Sequence, residues 1–178
     1  MQETQSERIP PGAALERILK EMQEVFSALR QKSEENEELP RERAWTNAQT
    51  LEHVCLVNHF LLLSAKKGVK ICDKRASAHL RGNEAATVSL NEVRVIGIKG
   101  SFNWEAPAHM TPSEKPDQEL NRVWLDVQQA EITTLLSRLR DGRGLLYRQG
   151  MSVAGLGKLD MYQWLYFIIQ HARRHVRP

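Results

Sequence analysis

The stretch GKLDMYQWLYFIIQHARRHVRP, Gly157 to Pro178, decides how the rest of the chain is read. Asp160 is a candidate N-cap, and Met161, Trp164, Leu165 and Ile168 recur behind it at helical spacing, so the segment predicts a helix with one apolar face. That face continues into His171 and His175, four residues apart and therefore one turn apart on the same side. Such a pair either chelates one metal ion from adjacent turns or consists of two hydrogen-bonded histidines favoured by the dipole of a helix end. Spacing leaves both readings open, and a third ligand elsewhere in the chain would decide between them.

Upstream, three more segments carry a helical period. Pro10 and Pro11 start the first, where a missing N–H costs nothing, and Leu15, Ile18, Met22, Val25, Phe26 and Leu29 form its stripe. The run KSEENEEL reads as its solvated tail, with Pro40 as the stop. The second begins near Thr46 or Asn47, either of which can cap, and is expected to stop at Gly68; it is apolar over more than one face, as in a helix packed between neighbours. The third, from about Asp117, carries Leu120, Val123, Trp124, Val127, Leu135, Leu136 and Leu139, with Gly142 as its C-terminal stop. The spacing therefore predicts helices near 11–36, 46–67, 117–141 and 158–176. Residues 1–10 are expected to form a flexible N-terminus, and 11–178 a single domain.

Between Val69 and Pro116 the helical period is lost, and glycines, prolines and a β-leaning piece, VRVIGIKGSFNW, take over. A link of this length inside a small domain is usually a functional cover. It would let the second and third helices run parallel, which completes an all-α four-helix bundle. Lys66, Lys67, Lys70, Lys74, Arg75 and Arg81 form a basic cluster here, read as a solvated loop rather than a nucleic-acid surface.

Composition bounds the function. The 178 residues suffice for one full core, and a net charge of +3 is too small to argue for nucleic acid. Two cysteines, Cys55 and Cys72, form no framework of bridges and suit a reducing compartment. The N-terminal residues have neither a basic start nor an apolar h-region, and the longest apolar run is too short to span a bilayer. A cytoplasmic protein without membrane contact is expected.

Metal sites in bundles are assembled from inward-facing side chains on facing helices. His53 lies with Gln49, Val57 and Phe60 along one side of the second helix and is the inward candidate there. His59 is about 240° round from it and must serve another face. His53, His171 and His175 would leave at least one coordination position open, as a catalytic site requires.

With these residues in view, the chain resembles the DinB-like superfamily. Trp45 followed eight residues later by His53, in WTNAQTLEHV, is similar to that family's second-helix signature. EAPAHMTP is similar to the Ala-Pro link before its third helix, and GKLDMYQWLYFIIQHARRHVR to its closing helix with the HxxxH pair. The resemblance implies an up-down-down-up bundle in which His53, His171 and His175 bind one divalent metal, often nickel or zinc, and implies frequent homodimers. It also implies a metal-dependent enzyme, a hydrolase or a transferase acting on a small-molecule substrate with a low-molecular-weight thiol. The alternative is a non-catalytic, metal-stabilised or metal-sensing interaction protein.

No Glu stands between the two histidines, where Ala172, Arg173 and Arg174 lie, so the HExxH general base is missing. Gln49, one turn before His53, either orients a ligand from behind or is a polar residue of the helix start. Arg173 and Arg174 are read as facing solvent or a subunit contact, with a role toward an anionic substrate as the minor reading. Trp124 and Trp164 are read as core.

Overall fold

The computed structural model describes residues 7–35, 45–79, 86–102 and 104–176. The tail from Asn36 with its stop at Pro40, the residues Met1 to Ser6, Arg81 and Arg177 lie outside the described residues.

Helix α1 spans Pro11–Glu34, with Pro11 in its first turn. Helix α2 spans Asn47–His79 and opens on a reciprocal capping box: the Gln49 amide N–H donates to Thr46 Oγ1 at 3.1 Å, and the Thr46 N–H donates to Gln49 Oε1 at 3.0 Å. Helix α4 spans Gln118–Ser137, capped by Asp117, and follows a short α3 at Asn91–Arg94. Helix α5 spans Met161–Val176 and repeats the capping box, with the Gln163 N–H on Asp160 Oδ1 at 3.0 Å and the Asp160 N–H on Gln163 Oε1 at 3.1 Å. Burial pushes the Asp160 carboxyl up to about 6 despite those amide hydrogen bonds.

Side-chain pairs fix the helix directions. His53 approaches His171 and His175, Trp164 Nε1 donates to Leu61 O, and Gly68 meets Met161, so α2 and α5 are antiparallel. Asn58 bonds Gln128, Lys66 pairs with Glu131 and Asp73 with Arg138, so α2 and α4 are parallel. Arg30 pairs with Asp126 and Ser33 with Arg122, making α1 and α4 antiparallel. Lys32 reaches the His175 carbonyl while Glu21 meets Tyr166, so α1 and α5 are parallel. The result is the expected up-down-down-up bundle, with α2 and α4 as its parallel pair.

Several expectations are corrected. Gly68 does not stop α2, which runs on to His79; a Cβ there would lie 2.2 Å from Met161 Sδ. The glycine serves close helix packing rather than termination, so the basic residues Lys66 to Arg75 sit on a helix and not in a loop. The β-leaning piece forms α3 and a 3₁₀ turn at Val95–Gly97 that lies on α5, where a Cβ on Gly97 would be 2.4 Å from Gln170 Oε1. Gly157 to Asp160 is a strand, β4, and not the first turn of α5; it pairs antiparallel with β3 (Arg148–Met151), Arg148 opposite Asp160. Within the N-terminal residues, Arg8–Ile9 (β1) pairs antiparallel with β2 (Val88–Ser89).

Helix α5 is the centre of the core: every residue from Met161 to Ala172 is buried. As far as Gln170 its polar groups survive burial because each finds a partner. Gln163 Nε2 donates to Ser89 O, Tyr162 OH to Leu139 O, and Tyr166 OH and Gln170 Nε2 both to Glu21 Oε2 at 2.9 Å. Among the described residues, no helix is long and apolar enough to cross a membrane.

Candidate metal centre

The capping box that starts α2 puts His53 in its second turn, and α5 carries His171 and His175 in its last two. The antiparallel packing brings the three rings together, with centroids 5.3 Å (His53–His171), 4.9 Å (His53–His175) and 4.8 Å (His171–His175) apart. One nitrogen of each lies within 4.8 Å of the others, and His171 Nε2 is 3.3 Å from His175 Nε2. Two nitrogens bound to one zinc ion at tetrahedral angles would sit about 3.4 Å apart, given Zn–N near 2.1 Å.

Hydrogen bonding orients the candidate donors. His53 Nδ1 lies 2.7 Å from Met110 O and, as the donor there, keeps its proton on that nitrogen and leaves Nε2 with a free lone pair. The Trp45 ring, 4.6 Å away, covers His53, which gives the Trp-to-His spacing its physical meaning. His171 Nδ1 is buried without a hydrogen-bond partner among the described residues. The His175 carbonyl accepts from Lys32 Nζ at 2.9 Å, so α1 ties down the turn that would otherwise fray.

Burial lowers all three imidazoles. His53 is held below 6.5 by desolvation, partly offset by the Met110 carbonyl. His171 lies well below by burial and by the neighbouring charges of His175, His53 and Arg174, and His175 falls to about 3 for the same kind of reasons. At neutral pH the site presents three uncharged imidazoles, the form that binds metal.

The sequence-based candidates separate cleanly. His53, His171 and His175 converge. His59 is exposed and lies near Trp124, away from them. Gln49 commits Oε1 to the helix cap and Nε2 to Ser113 O at 3.1 Å, so it fastens the link to α2 instead of orienting a histidine.

The cluster forms one wall of a cavity of about 640 Å³. Apolar and aromatic groups line it, among them Val57, Phe60, Trp104, Val153, Trp164 and Phe167. Trp164 therefore belongs to the cavity as well as to the core. The link closes one side: Trp104 to Met110 lies over the histidines, held at its far end by Ser113, whose N–H donates to Glu52 at 2.6 Å.

Arg173 and Arg174 are not solvent-facing as expected. Arg173 pairs with Glu21 at 2.8 Å behind α5. Arg174 lines the cavity, about 60° round the helix from His171, a closeness discounted by the expectation that it faces solvent or a subunit contact. Trp104, His109 and Met110 were also missed, because nothing in an irregular link announces which residues will turn inward.

The sequence profile of the DinB superfamily matches residues 10–177. The chain belongs to the DinB superfamily. The match takes in every helix described above, and the four long ones are the four-helix bundle of that family. No curated protein and no solved structure matches the chain. The DinB histidines of this chain are thus placed by its own geometry.

Proposed function

We propose that this DinB protein is a metal-dependent enzyme in which His53, His171 and His175 hold one divalent ion, nickel or zinc, and that a low-molecular-weight thiol is its cosubstrate. The observation that carries the reading is the position of the cluster on the wall of a 640 Å³ cavity. A metal used only to staple helices needs no such space beside it. For that reason the enzyme reading is favoured over a metal-stabilised or metal-sensing interaction protein.

The residues present fit the ion. All three donors are imidazoles, which suit nickel and zinc, they are neutral at pH 7, and His53 is held in the tautomer that frees Nε2. A bound ion would supply Lewis acidity, favouring thiolate over thiol at neutral pH. No carboxylate belongs to the cluster among the described residues, so a reaction that needs no protein base is favoured. The chain's own thiols are unsuited to the role: burial pushes Cys55 up to about 12 and Cys72 up to about 11, and neither lines the cavity. The thiol must then come from outside.

Cobalt-loaded protein titrated with L-cysteine and with N-acetylcysteine should develop thiolate-to-metal charge-transfer absorption in the near ultraviolet. His171→Ala protein should not. Cobalt-loaded protein with no new band at millimolar thiol would contradict the thiol reading and leave metal binding standing.

We further propose a homodimer. Leu120, Val123 and Val127 on α4 are 63%, 53% and 53% exposed, and Leu63 on α2 is 43% exposed. Leu63 and Val127 lie between the His59–Trp124 and Lys66–Glu131 contacts of the parallel α2–α4 pair, and Val123 and Leu120 follow toward the start of α4. A second copy presenting the same stripe would cover them. Sedimentation at micromolar concentration should show a dimer, and Val123→Asp with Val127→Asp a monomer; a wild-type monomer would contradict the proposal.

A further inference from the structure

Arg174 stands out among the charged groups of the cavity. No carboxylate lies within ion-pair distance of it among the described residues, whereas Arg17, Arg30, Arg122, Arg138, Arg143 and Arg173 each have one. Its guanidinium is part-buried and held in place from the link. Nη2 donates to Phe102 O, Nη1 lies 3.4 Å from Ser101 Oγ and 3.5 Å from Ile98 O, and the Trp104 ring covers one face at 4.9 Å. Trp104 is itself stacked on Phe102, their planes 8° apart. The cation is therefore ordered before any ligand arrives, by neutral acceptors that leave its charge uncompensated. Part of a five-donor fork remains to face the cavity it lines.

We propose that Arg174 is the specificity-determining residue of this cavity, binding the carboxylate of a small molecule whose other end reaches the three histidines. The inference rests on the cavity being the substrate site. A planar fork of N–H donors matches a carboxylate in shape, and burial beside apolar walls strengthens the pairing. A single negative charge suits the site better than a phosphate dianion. Arg174 is the only Lys or Arg among the described lining residues, and Glu105 on the same wall would repel a second charge. The aromatic walls, Trp104, Phe60 and Phe167, ask for an apolar body between the two ends.

The test compares 3-phenylpropionate with its uncharged amide, 3-phenylpropionamide, by isothermal titration into zinc-loaded and metal-free protein. Wild type should bind the acid at least about tenfold more tightly than the amide, the size of one charge-assisted pair, in both forms. Arg174→Met should bring the two ligands within about threefold of each other while zinc stoichiometry stays at the wild-type value. Arg174→Lys, which keeps the charge and serves as the control for a disturbed link, should retain a preference for the acid. Equal binding of acid and amide by wild type, or a preference that survives in Arg174→Met, would overturn the proposal. A preference that appears only with zinc and ignores Arg174 would also overturn it, placing the carboxylate on the metal and leaving the metal site intact. A preference that depends on Arg174 in protein that takes up no zinc would support the proposal and count against the metal reading instead.

Discussion

Replacing Glu21 by Ala is expected to destabilise the protein by about 3–5 kcal/mol, the usual effect of removing one partner from a buried ion pair. Glu21 Oε2 accepts from Tyr166 OH and Gln170 Nε2, both at 2.9 Å, and pairs with Arg173 at 2.8 Å, while Oε1 takes Arg17 Nε at 3.3 Å. Its side chain is only 13% exposed and that of Arg173 16%, so water cannot replace the lost carboxylate. Arg173 Nε has no hydrogen-bond partner among the described residues, which leaves the guanidinium little to fall back on. Thermal unfolding should shift down by about 10 °C, given a few degrees per kcal/mol for a chain of this size. Glu21→Gln keeps the shape and loses the charge, and should fall between the two. The consequence reaches the histidine cluster, because Tyr166, Gln170 and Arg173 lie on the side of α5 opposite His171 and His175. Glu21 holds the helix from behind while it presents the two histidines in front. A Glu21→Ala protein within about 1 kcal/mol of wild type would show that α5 is positioned by apolar packing alone.

The metal-free protein is expected to lose stability steeply in mild acid. Each histidine of the cluster has a folded pKa below its unfolded 6.5, so the unfolded chain binds more protons as pH falls. Stability from this source is complete above pH 6.5 and is lost as pH drops toward the folded values, about 3 for His175. Asp160 acts in the opposite sense. Its carboxyl is raised to about 6, so between pH 6 and 3.8 the folded state takes up the extra proton and gains. Asp73 and Asp141, lowered by arginines, matter only below about 3.8. Three rings lowered against one carboxyl raised leave stability falling as pH drops below 6.5. Urea midpoints should fall as pH drops from 6.5 to 4.5, and His171→Gln should make that fall shallower. A flat profile from pH 6.5 to 4.5 would mean that the three rings are not desolvated as the structure has them.

How much of this was legible in the sequence follows from the range of each interaction. The four stripes of apolar residues gave the bundle, because 3.6-residue periodicity is a local property. His171 and His175 declared themselves as a pair on one helix. His53 needed the face it shares with Val57 and Phe60. Gly68 misled, because whether a glycine ends a helix or admits a neighbour depends on Met161, more than ninety residues away. The cavity wall from Trp104 to Met110 was out of reach for the same reason, and Arg174 was legible only as a minor reading, because contacts between the link and α5 decide which way it turns.

On the proposed reading, His53, His171 and His175 bind one divalent ion together. The most direct measurement is metal content by inductively coupled plasma mass spectrometry of protein purified without a histidine tag and dialysed against nickel or zinc. Wild type and His59→Ala should each carry one ion per chain, and His53→Ala, His171→Ala and His175→Ala should each carry far less. Full occupancy in His53→Ala, or loss of metal in His59→Ala, would contradict it.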